Sequence, residues 1–167
     1  MFRRSLLMLI LALAAALVFG AVPTASARAA EMSKEQAGAY FMTSVCASNA
    51  AIDEMNREVY GPDNWITEAE VKRRFAAIKA ATKPYARSHY KFARALINPP
   101  AVWPSSVAGP VEVTASRLLR VHALVRSASA ARTAGRWLEL MNRAHNIKTP
   151  TSTIRAGLDL PPPGEGC

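Results

Sequence analysis

Cysteine is nearly absent from this chain: of 167 residues, only Cys46 and Cys167 carry a thiol. Histidine is as sparse. His89, His122 and His145 stand far apart, with no H-x-x-x-H spacing and no cysteine pairs beside them, so zinc sites of the usual kinds have no signature. There is no G-x-S-x-G elbow and no glycine-rich phosphate loop. No segment alternates apolar and polar residues, which excludes half-buried strands. Glycine is scarce inside the periodic segments, while alanine and arginine are abundant. What remains is an all-α chain with no recognisable catalytic set, no metal ligands and no implied cofactor.

The N-terminus speaks to the compartment. Arg3 and Arg4 precede an unbroken apolar run from Leu6 to Val22, followed by Pro23 and two small-x-small sites, Ala25-Ser26-Ala27 and Ala27-Arg28-Ala29. A charged start, an apolar centre and a small-residue cut site are the three regions of a secretory signal peptide. The expectation is a signal peptide over 1–29, cut after Ala27 or Ala29, and a secreted helical domain over 30–167. An uncleaved membrane anchor is the alternative, since about 17 apolar residues approach the shortest spanning helix. No cysteine lies near the cut, so lipid anchoring there is excluded. About 140 residues remain after cleavage, enough for one domain with its own core.

The domain is organised around the stretch from Ser33 to Tyr60. Phe41, Val45, Ser48, Ile52, Met55 and Val59 follow one another in steps of four and three, which places them on one helix face. Ser33 with Gln36 forms a capping-box pattern, and Glu35 suits the positive end of the helix dipole. After a turn through Gly61-Pro62-Asp63-Asn64-Trp65, Thr67 with Glu70 opens a long second helix. Its stripe runs Val71, Phe75, Ile78, Thr82, Tyr85, His89, Phe92 and Leu96. Pro84 lies inside that series without shifting its phase, which predicts one kinked helix; two helices meeting at Lys83-Pro84 are the alternative. Asn98-Pro99-Pro100 ends it.

A third stripe comprises Val107, Val111, Thr114, Leu118, Val121 and Val125, with Gly109-Pro110 placed in or just before its first turn. A fourth helix follows Gly135, with Trp137, Leu140, Met141 and Ala144 inward. Thr149-Pro150 forms the cap and first turn of a short last helix. The sequence therefore predicts a single bundle of four to five helices with a kinked long second helix. An extended proline-rich tail over 159–167 completes it, reaching on the order of 20 Å, enough to cross the end of a bundle.

Charge is distributed unevenly. The formal net charge is +9, yet Glu31 to Glu70 holds eight acidic and two basic residues, whereas Val71 to Gly157 holds sixteen basic and two acidic. Either the acidic first helix packs among basic neighbours, or a basic face is left for an anionic partner. Arg73, Arg74, Lys83, Arg87, Lys91 and Arg94 form a stripe along the second helix, of which Arg73, Arg74, Arg87, Lys91 and Arg94 are the candidate face. Arg117, Arg120, Arg126 and Arg132 lie on the polar side of the third. Outside a cell the partner would be an anionic envelope polymer, a lipid surface or a protein; nucleic acid is not expected.

Other groups have plain structural explanations. His89 lies on an apolar stripe between Tyr85 and Phe92, as a core histidine does. Trp65, Trp103 and Trp137 fall near turns or helix starts, which suits packing at bundle ends better than a glycan platform. Asp53, Glu54 and Glu58 could do acid-base work on a glycan, but a solvated helix face accounts for them.

Cys46 flanks the apolar stripe of the first helix, and an exported chain meets an oxidising compartment. A disulfide between Cys46 and Cys167 is expected, closing a loop of about 120 residues; two free thiols, or a pair made between chains, are the alternatives. The segment Tyr40-Phe41-x-x-x-x-Cys46-x-x-Asn49-x-Ala51-x-Asp53 and the ending Ile154-Arg155-Ala156-x-Leu158-x-Leu160-Pro161-Pro162 with Gly164-Glu165-Gly166-Cys167 resemble small exported all-helical proteins of actinobacteria. That resemblance implies export and a helical fold, with no activity attached. Together these features describe a secreted or envelope-associated non-enzymatic helical protein that binds an anionic envelope component or another protein. The alternative is a small glycan-active or other hydrolase using first-helix carboxylates.

Overall fold

The first helix begins where Ser33 accepts the Gln36 amide at 3.2 Å and Gln36 Oε1 accepts the Ser33 amide at 3.0 Å, a closed capping box. The computed structural model describes residues 30–61 and 66–167. The expected signal peptide or anchor over 1–29 and Trp65 lie outside the described residues. Helix α1 spans Lys34–Met55 and widens into a π-helical turn over Asn56–Tyr60, closed by the Gly61 amide on the Asn56 carbonyl at 3.0 Å. Then come α2 (Glu68–Arg73), α3 (Phe75–Ile97), α4 (Ser105–Ser129), α5 (Ala134–His145) and α6 (Thr151–Gly157). Taking α2 and α3 as one interrupted helix, the bundle has five, among the described residues without a strand; a lone backbone bridge joins Glu31 to Val102. No described helix is long and apolar enough to cross a membrane.

The long second helix opens at Thr67, whose hydroxyl accepts the Glu70 amide at 3.2 Å, and its irregularity sits at Arg74 (φ −107°, ψ 18°). Pro84 lies inside α3 without ending it. The carbonyl that Pro84 leaves unpaired belongs to Ala80, and both residues are exposed, so water can take the missing bond. Pro110 also lies inside a helix, because α4 starts at Ser105, earlier than the Gly109-Pro110 placement expected. At α6 the cap position belongs to Pro150, with no side-chain bond from Thr149.

Two apolar clusters make the core. One joins Met55 and Val59 to Val71, Ile78, Val125, Trp137 and Leu140. The other joins Phe41 and Val45 to Phe92, Leu96, Trp103, Val107 and Ile154. Between them along α1 and α3 stand the polar residues Ser48 and His89, both buried. The two described tryptophans are packing residues, as expected: Trp137 donates to Thr82 Oγ1 at 3.1 Å and Trp103 to the Leu96 carbonyl at 2.9 Å.

Cys46 and Cys167 are disulfide-bonded, with Cα atoms 5.3 Å apart. The tail that delivers Cys167 does not cross the end of the bundle. It runs along α1: Asp159 pairs with Lys34 at 2.7 Å, Leu160 packs on Gly38, and Gly166 lies against Met42 before the bond at Cys46. Gly166 has φ +82°, a conformation that side-chain-bearing residues rarely adopt. Arg155, only 3% exposed, shapes this path. Its Nη1 donates to the carbonyls of Pro161 at 2.6 Å, Pro162 at 3.2 Å and Glu165 at 3.3 Å. Among the described residues it has no carboxylate partner, so tail carbonyls replace the water that this charge gives up.

Close approach of α6 to α4 depends on Gly157. A Cβ there would meet Val107 Cγ1 at 2.5 Å. Val107 is fully buried and stiff at χ1, so it cannot turn away. Gly157→Ala is expected to lower stability by about 1–3 kcal/mol, read as a shift in the urea midpoint. An unchanged midpoint would mean that the contact is not close in solution.

Candidate anion-binding face

All five residues of the expected basic face are exposed. None forms an ion pair among the described residues, where the pairs are Lys34–Asp159, Arg57–Glu54, Lys72–Glu68, Arg136–Glu139 and Arg143–Glu139. Among the described residues no ion pair joins the acidic residues of α1 to the stripe. Asp53, Glu54 and Glu58 are exposed, with Glu54 engaged by Arg57.

The five cations divide into two patches. Arg73 and Arg74 lie where α2 meets α3, and the Arg74 guanidinium donates to the Glu58 carbonyl. Arg87 lies thirteen residues beyond Arg74, about 20 Å along a helix, farther than the roughly 8 Å over which exposed charges act at physiological salt. Arg87, Lys91 and Arg94 follow at steps of four and three and form the second patch.

Arg87 and Lys91 line a groove of about 730 Å³ between α1 and α3. The facing wall of α1 supplies Thr43, Ser44 and Ser48, with Ala47 and Ala51 beside them and no carboxylate. Thr43 and Ser44 donate back to their own helix, at 2.9 Å to Ala39 and 3.1 Å to Tyr40, and Ser88 does the same at 2.8 Å to Tyr85. Ser48 makes no such bond among the described residues, although only 4% of it is exposed. Its hydroxyl is thus the free donor between the two cations' groove and the core.

On the other side of Arg87 a smaller hollow of about 310 Å³ is lined by Lys83, Arg126, Ser129 and His122. His122 Nδ1 lies 2.8 Å from the Ala86 carbonyl, which can only accept, so Nδ1 carries the proton. Arg87 consequently stands between two hollows holding three further cations, Lys91 on one side and Lys83 and Arg126 on the other. The sequence places Arg126 on the polar face of its helix but does not join it to Arg87. The antiparallel packing of α3 and α4 brings them together, which no local pattern reveals.

The buried histidine belongs to neither hollow. His89 packs edge-on against Tyr85 with centroids 4.5 Å apart, and neither ring nitrogen has a hydrogen-bond partner among the described residues. Burial, with a smaller contribution from His122, pushes it down to about 4. No cluster of three or more histidine, cysteine or acidic side chains suited to a metal ion occurs among the described residues. Comparison with protein-family models, with curated proteins and with solved structures finds no match.

Proposed function

We propose that this chain is an exported, non-enzymatic helical protein that binds an anionic component of the cell envelope through the face centred on Arg87. The observation that carries this reading is the set of exposed cations around Arg87, unpaired among the described residues and opposed across the groove by hydroxyls instead of carboxylates. Such an arrangement concentrates positive potential over two adjoining hollows and attracts phosphate or carboxylate groups. The signal-like N-terminus, the disulfide and the resemblance of both chain ends to exported actinobacterial proteins support the compartment.

The test is co-sedimentation with vesicles of anionic and of zwitterionic lipid, and retention on a soluble polyphosphate, each at low and at physiological salt. A cation near an anionic surface contributes about 1 kcal/mol, so Arg87→Ala with Lys91→Ala is expected to weaken binding roughly 30-fold. Binding that ignores salt and survives the double substitution would remove this face from the function.

A further inference from the structure

The π-helical turn that ends α1 builds a second cavity, distinct in position and chemistry from the basic face. Hydrogen bonds across this turn span five residues, as in Gly61 to Asn56, instead of four. Such insertions are rare and occur often at functional sites. The widened turn offsets the drift that steps of four accumulate on an α-helix, and so Ile52, Asn56 and Tyr60 all line one hollow of about 540 Å³. That volume lies in the range of small-ligand cavities.

Its far wall comes from α3 and α5, with Tyr85, Asn142 and His145. Five polar side chains therefore converge: two phenols, two carboxamides and one imidazole. Asn56, Tyr60 and Tyr85 are half-buried, while Asn142 and His145 stand exposed at the rim, open to a ligand. Tyr85 is held by its contact with the buried His89. Burial pushes its phenol up to about 12, helped by the Tyr60 phenol beside it, and raises Tyr60 as well, so both hydroxyls stay protonated. Met55 and Met141 add an apolar floor.

The lining selects the ligand. No aspartate, glutamate, lysine or arginine contributes, which disfavours a formally charged group. A carboxamide offers donor and acceptor side by side and so complements another amide, while phenol hydroxyls suit ligand hydroxyls. The methionine floor suits a methyl group and the C–H face of a ring. An acetamido sugar carries all of these: amide, methyl, hydroxyls and an apolar ring face.

We propose that this hollow binds an N-acetylated sugar unit of a neutral glycan, independently of the basic face. The experiment is an NMR titration of the oxidised protein with tri-N-acetylchitotriose, with cellotriose as the same backbone lacking acetamido groups, and with trialanine as an amide without a sugar. Saturable shifts are expected with the first alone, at Tyr60, Asn142 and their neighbours. Tyr60→Phe and Asn142→Ala are each expected to weaken binding about tenfold at an unchanged unfolding midpoint, the scale of one hydrogen bond. Arg87→Ala with Lys91→Ala should leave this binding as it is, so failure here and failure of the anionic reading are separate results. Equal binding of cellotriose, preference for trialanine, no binding of any of the three, or indifference to both substitutions would each overturn the assignment.

Discussion

Replacing Cys46 and Cys167 together by serine, or reducing their bond, lowers the unfolding free energy by up to about 5 kcal/mol. That figure follows from closing a loop between residues 121 positions apart, on the chain-entropy account in which the cross-link restricts the unfolded chain. Small domains are stable by only about 5–15 kcal/mol, so the bond supplies a large share. The helices themselves do not depend on it for their contacts, and the reduced protein should keep its helical circular dichroism in the absence of denaturant. Urea unfolding with and without reductant measures the difference. A change below about 1 kcal/mol would mean that the reduced unfolded chain stays compact, so that the cross-link takes little freedom from it.

Acid is the second condition with a large expected effect. His89 binds its proton near pH 6.5 when exposed, whereas burial in the fold pushes this down to about 4. Between those values the unfolded chain holds a proton that the folded protein does not, so stability falls as pH drops from about 6.5 to about 4. The loss expected from this single group is about 3 kcal/mol. His89→Leu removes the titration and leaves an apolar side chain beside Tyr85. Carboxylates held low by partners, such as Glu70 and Glu139, titrate alike in both proteins and cancel in the comparison. The wild-type protein should therefore lose about 3 kcal/mol more than the variant between neutral pH and pH 4. Parallel stability profiles for the two proteins would show that His89 is charged and solvated in the fold.

Much of this architecture is legible in local chemistry. Both capping boxes mark real helix starts, because each needs only residues three apart, and every long helix keeps the stripe that its spacing predicts. The disulfide follows from compartment and cysteine count, although the route of the tail along α1 does not. That route depends on Arg155, whose charge and position suggest nothing until three carbonyls are seen around it. The irregularity at Arg74 has no marker, whereas Pro84, the obvious marker, lies inside α3 on its exposed side and does not end it. Sites were the least legible. Lys83, Arg87 and Arg126 meet only through helix pairing, and Tyr60, Tyr85 and Asn142 come from three helices with no motif among them.

The path of the tail bears on how the protein is made. On the exported reading proposed above, a bond between residues 46 and 167 cannot close until all the intervening chain has left the ribosome and reached an oxidising compartment. At about 5–20 residues per second, Cys46 waits roughly 6–24 s without its partner. In the complete fold Cys46 is only half-buried, and before the tail lies along α1 nothing further covers its thiol. Its thiolate can attack the disulfide of an oxidoreductase in that compartment, releasing one of the enzyme's thiols; a cysteine of another chain can then displace the enzyme's second thiol and leave a mixed dimer, undone by further thiol–disulfide exchange. On that exported reading, the yield of oxidised protein should thus depend on the oxidoreductases of that compartment, and a chain lacking residue 167 leaves Cys46 without its partner.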